Sequence, residues 1–170
     1  SVSHVHRAVQ QDGSEVALKI LLPNLPSIMR SDFQILRTML PVARWLMPDL
    51  PLPEFYQVLK QGLERELNFG AEAQAISKLK ERFRPFPDIH VPDLIHSLSG
   101  EHTVAMSLER GKNFHAFIAE ASQRDRDRAG QAIVRFVVTS VKERFFNSDP
   151  HPGNYLFNGP RVTFLDFGAA

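Results

Sequence analysis

Asn147-Ser148-Asp149-Pro150-His151-Pro152-Gly153-Asn154, then Tyr155-Leu156-Phe157, then Val162-Thr163-Phe164-Leu165-Asp166-Phe167-Gly168: the architecture of the 170-residue chain is read outward from this run. Asp149 is followed five residues later by Asn154. A short apolar strand comes next, then a Gly159-Pro160 turn, a second apolar strand, and Asp166-Phe167-Gly168. A Pro/Gly-rich turn packed against a hairpin brings two carboxylates and an amide to one edge. Oxygen ligands gathered in this way suit a hard divalent cation such as Mg²⁺.

Either piece alone is compatible with a plain turn. In this order, with strands between them, they have the layout of a phosphoryl-transfer site of the kinase type: a catalytic-loop Asp, a catalytic-loop Asn and the Asp of Asp-Phe-Gly. Such chemistry is mostly positioning and charge neutralisation. Such a site also calls for a lysine that meets phosphates.

Residues 2 to 9 alternate as a strand, Gln11-Asp12-Gly13-Ser14 is a hairpin turn, and Glu15 to Leu22 is a second strand. Within it Val16-Ala17-Leu18-Lys19 matches the strand whose Lys contacts the α- and β-phosphates of ATP in kinases. No G-x-G-x-x-G loop occurs in residues 1 to 13. Ser27 is a candidate N-cap for a helix over 28 to 40, with Pro41 as an interruption and Val42 to Met47 as an apolar continuation. This greasy stretch suits packing between helices, or a helix pair facing a membrane or a partner. Glu54 to Phe83 is the longest helical pattern. Glu72 on its small-residue face is the candidate counter-ion of Lys19. Glu66 lies six residues earlier, so on an unbroken helix the two point about 120° apart. Both can face one site only if the chain bends, for instance near Gly70, or if they serve different parts of it.

Two strands follow, His90 to Ile95 and His102 to Leu108, joined by Ser99-Gly100-Glu101. Ser107 and Leu108, with Glu109-Arg110-Gly111-Lys112 after them, fall where a kinase has the hinge whose backbone reads adenine. Helices are expected at 113–121 and about 123–146, the second delivering the chain to Asp149. His151 beside Asp149 reads as a loop-shaping or substrate-side residue, because the histidines lack zinc-site spacing. No G-x-S-x-G elbow points to a serine hydrolase.

Composition sets outer limits. A net charge of +1 gives no nucleic-acid footprint. The absence of cysteine excludes disulfides and thiolate metal sites. No apolar run reaches the ~18 residues of a membrane span. The chain starts inside a strand pattern and stops two residues after Gly168, which reads as a piece of a longer protein.

The chain resembles the UbiB/ADCK family of atypical, protein-kinase-like proteins. The resemblance covers nearly all of it, through Val5-His6-Arg7-Ala8, Val16-Ala17-Leu18-Lys19, Glu66-x-Asn68 with Glu72-Ala73, Asp149-Pro150-His151-Pro152-Gly153-Asn154 and Asp166-Phe167-Gly168. That family has an Ala-rich loop in place of the glycine-rich one, with Ser1 as its last residue here, and inserts helices before the αC-like helix. The resemblance implies an α+β, two-lobed protein-kinase-like fold, with an N-lobe over 1–107 and a partial C-lobe over 108–170. It implies that Lys19 binds ATP phosphates and pairs with Glu72, and that Glu66 is the Glu of an ExD motif. It makes Asp149 the catalytic Asp, and Asn154 and Asp166 Mg²⁺ ligands. Ser1, Ser107 and Leu108 complete the expected ATP site. Asn68 departs from the family's Asp, which removes the charge from that position.

The implied activity is Mg²⁺-dependent ATP hydrolysis or phosphoryl transfer in support of isoprenoid-quinone (ubiquinone) biosynthesis. The implied partners are quinone-biosynthesis proteins or a lipid-like substrate, with membrane contact through segments outside this chain. The implied location is the cytoplasmic face of a bacterial inner membrane, or the mitochondrion. A pseudokinase-type ATP-binding scaffold and a small-molecule kinase of the aminoglycoside or choline type are the alternatives. The missing glycine loop and Glu66-x-Asn68 disfavour the latter.

Overall fold

The computed structural model describes residues 3–142 and 151–168. Asp149 and Ser1 therefore lie outside the described residues. Two three-stranded sheets share one core. The first is antiparallel, in the order β1 (Ser3–Val9), β2 (Glu15–Leu21), β4 (Thr103–Ser107). Its first two strands close through a turn in which Gly13 takes φ 84°, and Asp12 Oδ1 accepts from the Ser14 amide at 2.9 Å. That left-handed position is why Gly follows Asp there. The second sheet has the order β3 (Ile89–His90), β6 (Arg161–Phe164), β5 (Tyr155–Asn158), with β3 and β6 parallel and β5 and β6 antiparallel.

Register decides which residues meet in the first sheet. Val5 pairs with Lys19 and Met106 with Ala17. Successive strand residues point to opposite faces, so Ser3, Val5, Ala17, Lys19 and Met106 share one face. Helix α3 (Phe69–Phe83) packs by its apolar stripe, burying Phe69, Ala75, Ile76, Leu79 and Phe83. Glu72 falls in the same stripe and is 2% exposed. Helix α4 (Phe114–Glu120) buries Phe117, and α5 (Gln123–Lys142) buries Ala129, Ala132, Phe136 and Ser140. Phe136 stacks on Phe83 at 4.7 Å between centroids and on Phe164 at 3.7 Å, so α3, α5 and β6 meet in one aromatic column. The connector after β4 lies against β5, where a Cβ on Gly111 would come within 3.1 Å of the Phe157 carbonyl oxygen. Any side chain there would require β5 to shift by a few tenths of an ångström.

Several local expectations are corrected. The helical pattern over 54–83 is two helices, α2 (Leu52–Glu66) and α3. The break falls at Leu67-Asn68, ahead of Gly70, because Asn68 is the N-cap of α3 and accepts from the Ala71 amide at 2.9 Å. Helix α1 runs from Leu25 to Leu46 straight through Pro41, and it starts after Asn24 in the left-handed region, not at Ser27. Neither α1 nor α2 contributes a buried residue, so packing of the greasy stretch into the core is overturned. The two helices touch each other, with the Phe33 and Tyr56 rings edge to face at 5.6 Å, and leave Trp45 81% exposed. The strand expected over 90–95 is Ile89–His90, joined to β6 in the second sheet, with only a Leu94–Met106 bridge back to β4. Among the described residues no helix is long and apolar enough to cross a membrane.

Candidate nucleotide cleft

Lys19 occupies the central strand of the first sheet, bonded on both sides, so its stem is held rigidly. Its Nζ lies 2.7 Å from Glu72 Oε1 and 3.1 Å from Asp166 Oδ1. The three side chains are 13%, 1% and 36% exposed. The Phe69 ring sits 5.7 Å from the ammonium and shields it on one side. Glu66, at the end of α2, is exposed and lines the same cleft, with no ion pair among the described residues. The expected pairing of Lys19 with Glu72, not Glu66, is the one formed. The choice follows from the phase of α3, which starts afresh at its Asn68 cap and turns Glu72 inward.

Charge balance in the site is uneven. Burial works against the charged form of Lys19, but Glu72 and Asp166 together outweigh it and raise its pKa. Burial also raises the Glu72 carboxyl, and the nearby ammonium only partly offsets this. Burial pushes Asp166 the same way, yet Lys19 and the Gly168 amide, which donates to Oδ1 at 3.1 Å, leave its pKa lowered. One ammonium thus faces two carboxylates, and the pocket carries a surplus of negative charge at its inner end.

Asn154 closes the opposite side. The Pro152–Asn154 turn is shaped by His151, whose Nδ1 accepts from the Gly153 amide at 3.0 Å. The Leu165 amide donates to the Asn154 carbonyl at 3.0 Å, which fixes the turn against the segment carrying Asp166. Asp166 itself is anchored between two buried rings, Phe164 and Phe167, each 1% exposed. Lys19, Glu66, Asn154 and Asp166 line one cleft of ≈ 620 Å³, and Ser107 and Leu108 line it too. Its walls include residues that motif reasoning did not assign to the site: Val5, Ala17 and Met106 from the first sheet, Leu156 and Leu165 from below. The strand alternation that places Lys19 also places Ala17 and Val5, so that signal was present. Its middle is apolar, the Lys19 end carries opposed charges, and Glu109 stands at the connector edge. Among the described residues no group of three His, Cys, Asp or Glu side chains could by itself hold a metal.

The model of the ABC1 atypical kinase-like domain matches residues 1–170. The mitochondrial atypical kinase coq-8 of Caenorhabditis elegans is 30% identical over 180 residues, covering 100% of this chain and 23% of that protein. The probable protein kinase UbiB of Aliivibrio fischeri is 26% identical, covering 99% of this chain and 33% of its own length. The chain thus spans about a quarter to a third of these relatives. A solved complex of Rv3197 with erythromycin from Mycobacterium tuberculosis superposes with a TM-score of 0.83 at 26% identity, over 99% of this chain and 43% of that one. Motifs, fold and relatives converge: the chain belongs to the ABC1 atypical kinase-like family and has its α+β, kinase-like fold.

Proposed function

We propose that the cleft binds Mg²⁺-ATP, and that the protein carrying it hydrolyses ATP or transfers its phosphoryl group to a small or lipid-like acceptor. The observation that carries this is Lys19, held between Glu72 and Asp166 at the charged end of an apolar-walled cleft. The apolar middle suits a purine, the lysine suits α- and β-phosphates, and the surplus negative charge suits a divalent cation. Asp166 and Asn154 supply the carboxylate and amide oxygens; such an ion completes its shell with phosphate oxygens and water, so a protein-only cage is not required. The bound ion would neutralise charge on the transferring phosphoryl group. Asp149 is the proposed acceptor of the nucleophile's proton, and Ser1, Ser107 and Leu108 the proposed contacts at the nucleotide's edge. Kinship with UbiB and COQ8 proteins supports a role in isoprenoid-quinone biosynthesis at a membrane, with quinone-biosynthesis proteins or a lipid-like molecule as partner.

Calorimetric titration of the full-length protein with ATP, with and without Mg²⁺, tests the first step. Lys19→Met is expected to abolish binding while leaving the circular dichroism unchanged; unaltered affinity overturns the assignment. Turnover by wild type that Asp149→Asn abolishes supports the enzyme. Binding without turnover, unaffected by Asp149→Asn, replaces it with an ATP-dependent scaffold.

A further inference from the structure

Residues 107–112 connect the first sheet to the second and form one edge of the cleft, where Ser107, Leu108 and Glu109 line it. We infer that Glu109 is a positioning residue: its carboxylate clamps this connector to β3 and β6 through His90 and Arg161, and so fixes the backbone that faces the ligand. The nucleotide assignment above is needed only to name that ligand.

The hydrogen bonds have a defined direction. Glu109 Oε1 accepts from the Ser107 hydroxyl at 2.6 Å and lies 3.1 Å from His90 Nε2. Arg161 Nη2 lies 2.6 Å from His90 Nδ1. A guanidinium can only donate, so Nδ1 is the accepting nitrogen, and Nε2 carries the hydrogen that goes to Glu109. Ser107 is held as well, its hydroxyl oxygen accepting from the Asp93 amide at 2.9 Å. The chain Arg161–His90–Glu109–Ser107 thus starts on β6, crosses β3, and ends on the last residue of β4. The His90 and Glu109 side chains are 22% and 19% exposed, so a bond to this carboxylate is less screened than one on the open surface.

The neighbouring side chain reaches the other way. Arg110 Nη2 donates to Glu15 Oε2 on β2 at 2.7 Å, and Glu15 also pairs with Arg7. Arg110 and then Arg7 hold the Glu15 carboxyl below its ordinary value. Asn158 on β5 donates to the Arg110 carbonyl at 2.7 Å. Adjacent residues of opposite charge therefore tie the connector to opposite sheets. The Arg110 side chain is 78% exposed, and an exposed pair of this kind holds little. Backbone bonds of Leu108 and Lys112 and the Asn158 bond also hold the connector, and of its two charged side-chain arms the shielded Glu109 arm holds more.

The test uses the full-length protein with Glu109→Ala, His90→Ala, the double variant and Glu109→Gln. Amide hydrogen exchange is followed at residues 107–112, alongside affinity for a fluorescent ATP analogue and for inorganic tripolyphosphate, which lacks a base. Loss of one charge-assisted hydrogen bond predicts roughly ten-fold faster exchange in each alanine variant. Analogue binding weakens by a similar factor, roughly ten-fold, while tripolyphosphate binding at the Lys19 end is unchanged. The double variant is no worse than either single one, because both remove the same link. Glu109→Gln, which keeps the accepting oxygen, recovers most of both effects. Unchanged exchange in Glu109→Ala, additive effects in the double variant, or equal loss of analogue and tripolyphosphate overturns the proposal. A wild type that binds no nucleotide overturns the proposed function, and the exchange data then decide the clamp alone.

Discussion

At the scale of the residue, Lys19 is costly to bury and is kept charged by two acids at 2.7 and 3.1 Å. The resulting pH dependence has a definite sign. The folded-state pKa of Lys19 lies above its ordinary 10.5, so its contribution to stability is complete below that value and is lost as pH rises through the raised one. Asp166 lies below its ordinary 3.8, so its contribution is present above that value and is lost as pH falls through the lowered one. Glu72 moves the other way, taking up a proton more readily when folded, which weakens the pair from the acid side first. The stability gap between wild type and Lys19→Met is therefore widest between these limits and narrows at both ends. Urea unfolding across pH measures it, and a gap that stays flat to high pH contradicts the pairing. Removing one member of a fully desolvated pair costs about 3–5 kcal/mol; here the second acid and the open cleft make the loss smaller.

At the scale of the element, the break between α2 and α3 does the most for the site. Asn68 ends one helix phase and starts another, so Glu66 lines the cleft while Glu72, six residues on, is buried against the Lys19 that lines it. Asn and Asp cap helices almost equally well. Asn68→Asp is therefore expected to change stability by only a few tenths of a kcal/mol, roughly, whereas Asn68→Ala costs about 1 kcal/mol and frays the start of α3. Thermal unfolding separates the two, and fluorescence of a nucleotide analogue reports whether Glu72 stays in place. An Asn68→Ala variant as stable as wild type would show that packing of Phe69 alone sets the helix start. Helices α1 and α2 behave differently: they are amphipathic and lean on one another, with many of their apolar side chains, such as Ile35, Met39, Trp45, Phe55 and Val58, outward.

At the scale of the molecule, one core serves both sheets. The column Phe83–Phe136–Phe164 joins α3, which carries Glu72, to β6, which leads into Asp166. Distance between the two acids thus depends on aromatic packing as well as on Lys19. Phe136 is 1% exposed, and Phe136→Ala is expected to cost about 3–5 kcal/mol. Because the column spans both sheets, unfolding should stay a single transition at a lower denaturant midpoint. Separate melting of β1-β2-β4 would show instead that the sheets are independently stable.

The local chemistry of the chain was legible in its sequence. Asp12-Gly13 determines the hairpin, strand alternation puts Ala17 beside Lys19 on one face, and the run that ends in Asp166-Phe167-Gly168 carries Asn154 and Asp166, which line one cleft. These signals survive because turn preferences and periodicity act over a few residues. Only the tertiary structure decided how closely these distant groups meet and how deeply each is buried. Lys19 takes Glu72 from across 53 positions and Asp166 from across 147, and α3's phase, set by its cap, selects that partner. It also decided that Ile89–His90 joins β6 and that the greasy helices stay at the surface. Periodicity fixes which face of an element is apolar, while the neighbour that covers it is chosen by packing of the whole core.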